Sequence, residues 1–211
     1  MAPARIINDA LRPVPPAVVY VLGAVPALLL FHALFIGGLG VDPLKKLEHA
    51  LGLHALQFLI AGLCVTPLRR LTGISLLRFR RALGLVGFAY VVLHFAVWLG
   101  LDMQFRWGEI GKDILKRPYI TIGMAGFALL IPLALTSTDS ALRRMGAARW
   151  QRLHRLVYPA VLLGAAHYVM VVKSWPIEPI LYFATVATLV AMRVGWHLVR
   201  NRRRRPAAQD V

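Results

Sequence analysis

Cysteine and acidic residues are scarce in this 211-residue chain, which has one cysteine and nine Asp and Glu residues against 25 Lys and Arg. The single cysteine, Cys64, excludes an internal disulfide and a Cys-based metal site. Charged residues make up only 16% of the chain and hydrophobic residues 58%, with a mean hydropathy of +0.64. This composition indicates a membrane protein rather than a soluble domain.

Six apolar stretches are each long enough to cross the roughly 30 Å hydrocarbon core as a helix. They are predicted at residues 16–38, 50–68, 82–101, 118–136, 153–172 and 179–199. The flanking residues 1–15 and 200–211 are expected to be unstructured. The predicted fold is therefore all-α: a cytoplasmic N-terminal segment (1–15), a polytopic bundle of six transmembrane helices (16–199) and a basic cytoplasmic tail (200–211).

Lys and Arg residues are distributed unequally between the two ends of these spans. The N-terminal segment, the 2–3 loop, the 4–5 loop and the tail hold 17 of them, and the opposite loops hold seven. Because Lys and Arg are enriched on the cytoplasmic side of a membrane, both termini are predicted to be cytoplasmic. The net charge of +16 is thus interpreted as a topology signal, and no nucleic-acid partner is expected.

Acidic residues are missing from the interior of all six predicted spans. Their absence argues against an ion-coupled transporter, whose pathway normally needs carboxylates inside the membrane. The sequence also lacks the Gly-x-Gly-x-x-Gly and P-loop patterns, so no nucleotide-binding domain supplies reducing power from within it. Electrons would have to come from a membrane quinol, a flavin or a partner protein.

Two histidines lie at matching depth on spans 3 and 5, which run in the same direction in this topology. His94 lies 12 residues after the start of span 3, and His167 follows His154 by 13, so both stand about 18–20 Å above the cytoplasmic ends. Gly87 and Gly164 leave room nearby for a flat macrocycle. We therefore predict iron bound by both imidazoles in a haem between spans 3 and 5, of the non-covalent b type because there is no Cys-x-x-Cys-His motif. Zinc, which prefers four tetrahedral ligands, fits less well.

His154 lies at the inner end of span 5, where a second haem would need a partner on span 3. The residue at that depth, 14 positions before His94, is Arg80. A bis-histidine site is therefore incomplete there, although Arg80 and Arg81 suit haem propionates or a phosphate. Thirteen residues at about 100° each also leave His154 and His167 roughly 140° apart around an ideal helix. A hydrogen bond between helices is the alternative role for each of these histidines.

Four stretches of the sequence resemble the MsrQ (YedZ) family. They are RALGLVGFAYVVLHF (81–95), GKDILKRPYITIG (111–123), LALTSTDSALRRMG (133–146) and WQRLHRLVYPAVLLGAAHYV (150–169). Members of this family are haem-binding membrane subunits of a bacterial periplasmic methionine-sulfoxide reductase system. They are related to the membrane domain of ferric reductases and NADPH oxidases. The resemblance covers nearly the whole chain and implies a multi-pass protein of the bacterial inner membrane.

The resemblance also implies roles for particular residues. His94 and His167 match the family's outer haem ligands, and His154 matches a further histidine attributed to haem binding, so the number of haems, one or two, stays open. Arg80 stands where the oxidase relatives have their fourth ligand. The family is described as binding FMN, and we expect the arginine-rich inner loops to hold it. It is further described as forming a heterodimer with MsrP, a periplasmic molybdopterin enzyme that receives electrons from the quinone pool through it.

We therefore expect an electron-transfer subunit, not an enzyme by itself, that carries electrons from a quinol or a flavin to a periplasmic reductase repairing oxidised envelope proteins. The 3–4 loop (102–118), with Phe105 and Trp107, is expected either to dock that partner or to form an interfacial amphipathic helix. Three alternatives stay open: a self-contained ferric or quinone reductase, a histidine-based metal transporter, and an assembly anchor without a redox role.

Overall fold

Ten α-helices make up the fold in this computed structural model, which describes residues 2–172 and 176–204. They are α1 Ala2–Leu11, α2 Ala17–Phe35, α3 Pro43–Thr72, α4 Arg80–Val97, α5 Trp107–Lys116, α6 Pro118–Leu135, α7 Asp139–Met145, α8 Ala147–Leu153, α9 Val157–Val171 and α10 Ile177–Arg204. Short 3-10 turns at Leu77–Phe79 and His154–Leu156 precede α4 and α9, and a π turn at Trp98–Asp102 follows α4. The described residues contain no strand, so the all-α prediction is confirmed.

Helices lie at all six predicted spans, and five of them are long and apolar enough to cross a membrane. The exception within the described residues is the predicted span 153–172. It is divided into a 3-10 turn, His154–Leu156, and the 15-residue helix α9, which is about 22 Å long. Pro159 lies in the first turn of α9 and has no N–H to continue the hydrogen-bond ladder of the preceding turn. The described residues therefore contain five candidate spans, and the sixth span stays a prediction.

Consecutive long helices alternate in direction, which gives the bundle two ends. The end named here the α5 end holds α5, the starts of α3 and α6 and the end of α4. The arginine end holds Arg70 near the end of α3, Arg80 at the start of α4, and α1. One apolar core lies between α2, α3 and α4, and a second joins α3, α6, α9 and α10. Because α3 contributes to both cores, it is the central helix of the bundle.

The N-terminal segment is helical, so the prediction that it is unstructured was wrong. Asn8 of α1 donates to the carbonyl of Gly73 at 3.1 Å and accepts from the N–H of Ser75 at 2.8 Å. Gly73 ends α3 in the left-handed conformation, at φ 80°, which glycine adopts at little cost. These bonds hold α1 on the turn after α3. At the other terminus α10 continues to Arg204, so the predicted tail begins as helix, and residues 205–211 lie outside the described residues.

Tyr90 of α4 inserts its hydroxyl into the backbone ladder of α2. The hydroxyl donates to the carbonyl of Gly23 at 2.8 Å and accepts from the N–H of Ala27 at 2.9 Å. In a regular helix the carbonyl of Gly23 would accept a hydrogen bond from the N–H of Ala27, four residues later. Tyr90 is 2% exposed and stacks on Phe58, with 5.4 Å between the ring centroids. The hydroxyl therefore joins α2 to α4 where no water competes for the backbone.

Replacement of Tyr90 by phenylalanine is expected to destabilise the protein by about 1–3 kcal/mol, because two buried backbone groups lose their partner. Thermal unfolding of the purified protein in detergent measures the effect. Tyr20→Phe, at a tyrosine of α2 that is 42% exposed, is the matched control and should leave the midpoint unchanged. Equal midpoints for the two variants would contradict the role given to the Tyr90 hydroxyl.

Candidate haem site

A cavity of about 830 Å³ lies at the α5 end between α3, α4, α6 and α9. Its inner walls are apolar and aromatic, and His94 and His167 both line it. Charged and polar side chains line its mouth, at the helix ends: Asp42, Lys45, Glu48, His49, Asp102, Arg117 and Tyr119. Protein pockets for organic ligands span about 300–1,000 Å³ and are mostly apolar, with few polar groups. The cavity therefore has the size and lining that a porphyrin requires.

The imidazole rings of His94 and His167 face the same space. Their centroids are 6.2 Å apart and their planes are inclined at 76°. A metal–imidazole bond is about 2.0 Å long, and the ring centre lies about 1.1 Å beyond the nitrogen, so two rings on one metal stand about 6.2 Å apart. The observed separation suits a single iron held from both sides. The structure thus brings these two predicted residues together.

Backbone carbonyls fix the tautomer of both imidazoles. Nδ1 of His94 lies 2.9 Å from the carbonyl oxygen of Glu48 in α3. Nδ1 of His167 lies 2.7 Å from the carbonyl oxygen of Tyr119 in α6. A carbonyl oxygen can only accept, so each Nδ1 carries a proton, and in the neutral ring each Nε2 then keeps a free lone pair. This arrangement is typical of metal-binding histidines, whose second nitrogen donates to a backbone or carboxylate oxygen.

Two glycines allow the rings to approach these carbonyls. Each glycine follows its carbonyl by four residues on the same helix and lies beneath the ring. A Cβ at Gly52 would stand 3.2 Å from Nδ1 of His94, and one at Gly123 would stand 2.8 Å from Nδ1 of His167. The sequence analysis missed both residues. The available signal was a glycine at the depth of the two histidines in each of the neighbouring spans 2 and 4.

The small residues that were predicted to make room for the macrocycle have different positions. Gly164 lines the cavity, and a Cβ there would meet nothing within 4 Å. Gly87 instead packs against α3, where a Cβ would lie 2.9 Å from Leu59. Its role is therefore the close approach of α4 to α3. Trp98 also lines the cavity.

His154 is held away from the cavity, which it does not line among the described residues. Its ring stacks on Trp150, with 3.7 Å between centroids, and its Nε2 lies 3.0 Å from the hydroxyl of Thr136. That hydroxyl donates its one hydrogen to the carbonyl of Pro132. Nε2 of His154 is therefore the donor to Thr136. His154 thus donates from Nε2, whereas His94 and His167 donate from Nδ1.

Arg80 and Arg81 also lie at the arginine end, apart from the cavity. Arg81 binds Asp139 of α7, with 2.7 Å between Nη2 and Oδ1, and its guanidinium holds the pKa of that carboxyl below its usual range. The pair joins the first turn of α4 to the start of α7. Arg80 points into a separate groove beside Tyr158 and Arg193. The structure therefore does not bring the two arginines together with the outer histidine pair.

The charged mouth of the cavity was missed because span 2 was predicted to begin at residue 50. The helix begins at Pro43, with Asp42 as its N-cap, since Asp and a following proline favour a helix start. Lys45 and Glu48 therefore lie in the first turns of α3 and line the cavity. On the opposite side Arg117 is held by Asp113 of α5, with 3.4 Å between Nε and Oδ1.

The 3–4 loop contains the amphipathic helix α5, which buries Ile110. Phe105 precedes α5 and Trp107 is its first residue, and the two residues are 54% and 68% exposed. The two ring centroids are 6.1 Å apart. Gln104 and Phe105 have positive φ values of 48° and 56°, a conformation that ordinary residues adopt at a cost. The loop thus presents a pair of aromatic side chains at the α5 end.

Comparison with known proteins gives the family. The ferric reductase like transmembrane component matches residues 49–165. The protein-methionine-sulfoxide reductase heme-binding subunit MsrQ of Brucella ovis is 50% identical over 184 residues, which cover 87% of this chain and 83% of that protein. The MsrQ proteins of Brucella canis and Brucella suis match with the same identity and coverage. No solved structure matches. The chain belongs to the MsrQ family, within the ferric reductase like transmembrane proteins.

Proposed function

We propose that this chain is the haem b subunit that carries electrons from the quinone pool to a periplasmic methionine-sulfoxide reductase. The observation on which the proposal rests is the pair of neutral imidazoles, His94 and His167, with centroids 6.2 Å apart in one cavity. The MsrQ relatives, which are named as heme-binding subunits of that reductase system, give independent support.

His94 and His167 hold the iron in this proposal, one from α4 and one from α9. The carbonyls of Glu48 and Tyr119 keep the two Nε2 atoms available and raise their basicity. Haem b bound there would supply a one-electron ferric–ferrous couple, whose potential the two imidazoles and the burial of the site would tune. The chain's own task is to bind and orient the group and to exclude water from it.

The proposed topology has six spans, with α9 as the fifth and both termini in the cytoplasm of a bacterium. The arginine end then faces the cytoplasm, and the cavity lies in the periplasmic half of the inner membrane. Electrons enter from quinol within the membrane, or from FMN bound at the arginine end. They leave at the α5 end and pass to a molybdopterin-containing partner of the MsrP type, with which this chain forms a heterodimer. In this topology the bundle 16–199 spans the membrane. The segment 1–15 and the tail 200–211 both lie in the cytoplasm, as predicted from the sequence.

Two observations weigh against the alternative functions. Among the described residues no group of three or more His, Cys, Asp or Glu side chains is placed to hold a metal ion directly, as a histidine-based transporter would need. An assembly anchor would have no use for two imidazoles fixed in the same tautomer around a cavity. A self-contained ferric reductase is distinguished by substrate reduction in the purified chain without a periplasmic partner.

Loss of either ligand is expected to change the absorption spectrum of the purified protein. In His94→Ala and in His167→Ala, the iron keeps at most one protein ligand, so the b-type low-spin spectrum should disappear and the haem-to-protein ratio should fall. His32→Ala, at an exposed histidine of α2, is the control and should keep both. A low-spin spectrum that survives in both cavity variants would exclude the ligand assignment.

A methyl group beneath one imidazole should weaken haem binding without removing a ligand. In Gly123→Ala the new Cβ would press on the ring of His167, and loss of such a supporting contact costs about 10- to 100-fold in metal affinity. Haem retention against apomyoglobin and the midpoint potential measure the effect. Gly84→Ala is the matched control in α4, because a Cβ there meets nothing within 4 Å. Equal retention in the two variants would show that Gly123 does not position the ligand.

The aromatic pair at the α5 end is proposed to dock the periplasmic partner. Replacement of Phe105 and Trp107 by serine should slow electron transfer to that partner about tenfold, because exposed aromatic anchors carry much of the binding energy of an interface. The absorption spectrum should not change. Leu115→Ser, at an 87% exposed position of α5, is the control, because it also replaces an exposed apolar side chain of this helix by serine. An unchanged transfer rate would leave α5 as an interfacial helix.

A further inference from the structure

Three arginines converge at the arginine end, in a groove between α3 and α10. Arg80 and Arg193 line the groove, with Tyr158 and Trp196 as its aromatic walls. The guanidinium of Arg70 lies over the ring of Trp196, 4.4 Å from its centroid. These three side chains form what we name the arginine groove.

Among the described residues, no acidic side chain lines the arginine groove. The ion pairs described at this end, Arg12 with Asp9 and Arg81 with Asp139, use other arginines. Nε of Arg193 is buried and has no hydrogen-bond partner among the described residues, and its guanidinium lies 5.9 Å from the ring centroid of Tyr158. A buried N–H group without a partner is costly, and like charges at close range repel. An anion in the groove would offset both effects.

The lining of the groove changes along the bundle axis from apolar to basic. Leu63 and Leu189 lie about one to two turns deeper in the membrane than Arg70 and Arg193 on the same helices. An acyl chain suits the leucines, and a phosphate suits the guanidiniums, which bind it through paired N–H groups. Basic pockets between transmembrane helices on the cytoplasmic side are typical sites for anionic lipid headgroups. This order of contacts matches a phospholipid rather than a water-soluble phosphate.

The enclosed part of the groove is small, about 10 Å³, which is room for about one water molecule. A bound headgroup would therefore lie at the mouth of the groove, against the exposed Arg70 and the partly buried Arg193. Because α3 and α10 make few direct contacts, a lipid held there also joins the two helices.

We propose that the arginine groove binds the phosphate of an anionic phospholipid of the cytoplasmic leaflet. The choice of leaflet rests on the orientation given in the proposed function, whereas the binding of lipid does not depend on haem or on that orientation.

The test uses the full chain in nanodiscs that contain phosphatidylcholine with a small fraction of phosphatidylglycerol. Native mass spectrometry after release into detergent measures which lipid remains bound. Wild type should retain phosphatidylglycerol preferentially. Arg193→Gln and Arg70→Gln should each weaken that preference about fivefold, in line with the contribution of one basic residue near a lipid surface. Arg193→Lys keeps the charge and should fall between wild type and Arg193→Gln. Arg149→Gln, at an exposed arginine of α8, is the control and should match wild type.

Equal lipid preference in Arg193→Gln, Arg70→Gln and wild type would overturn the proposal. Displacement of phosphatidylglycerol by inorganic phosphate at an equal concentration would show a general anion site and overturn the assignment to lipid. The absorption spectrum of each sample is recorded in parallel: absence of haem in wild type would refute the proposed function while leaving the lipid result intact. Protease accessibility of α7 and α8 in sealed vesicles tests the leaflet separately.

Discussion

The hydrogen bonds from the imidazoles of His94 and His167 to two helix carbonyls determine how both rings face the cavity. Each bond joins a histidine-bearing helix to a neighbour: α4 to α3 through Glu48, and α9 to α6 through Tyr119. Among the described residues these two pairs also make the most extensive helix contacts, whereas α4 meets α6, and α3 meets α9, only sparingly. The bundle therefore consists of two tightly packed pairs, each with one oriented imidazole, and the cavity lies between the pairs.

Glycine makes this arrangement sterically feasible at both sites. Gly52 and Gly123 stand where any Cβ would press on the ring that the carbonyl holds, and glycine is the residue that permits such close approach to a backbone. In a membrane, small residues generally let helices approach each other, and Gly87 serves that purpose against Leu59. Gly52 and Gly123 differ from Gly87 because each makes room for a histidine ring that is hydrogen-bonded to a backbone carbonyl. At these two glycines, helix packing and the orientation of the imidazole therefore depend on the same missing Cβ.

Much of the helical layout and the paired histidines follow from the sequence, because hydropathy and residue count give position along a membrane normal. The match of depth between His94 and His167 needs only the rise per residue. Helix boundaries were less predictable, since a helix extends beyond the hydrocarbon core wherever a cap starts it, as Asp42 does for α3. The tautomers, the insertion of Tyr90 into α2 and the helical N-terminus depend on side-chain bonds between distant residues. No local sequence pattern predicts those contacts.

His154 and His167 stand in different surroundings, and in the proposed function this difference bears on how electrons arrive. His167 faces His94 in the cavity at the α5 end. His154 lies at the arginine end, where it donates from Nε2 to Thr136 and its ring is covered by Trp150. Thirteen residues separate His154 from His167, about 20 Å along a helix. In the proposed topology, a water-soluble donor at the arginine end would need a carrier across that distance. A quinol within the membrane would approach the cavity directly, so the proposed quinol route uses no second bis-histidine haem.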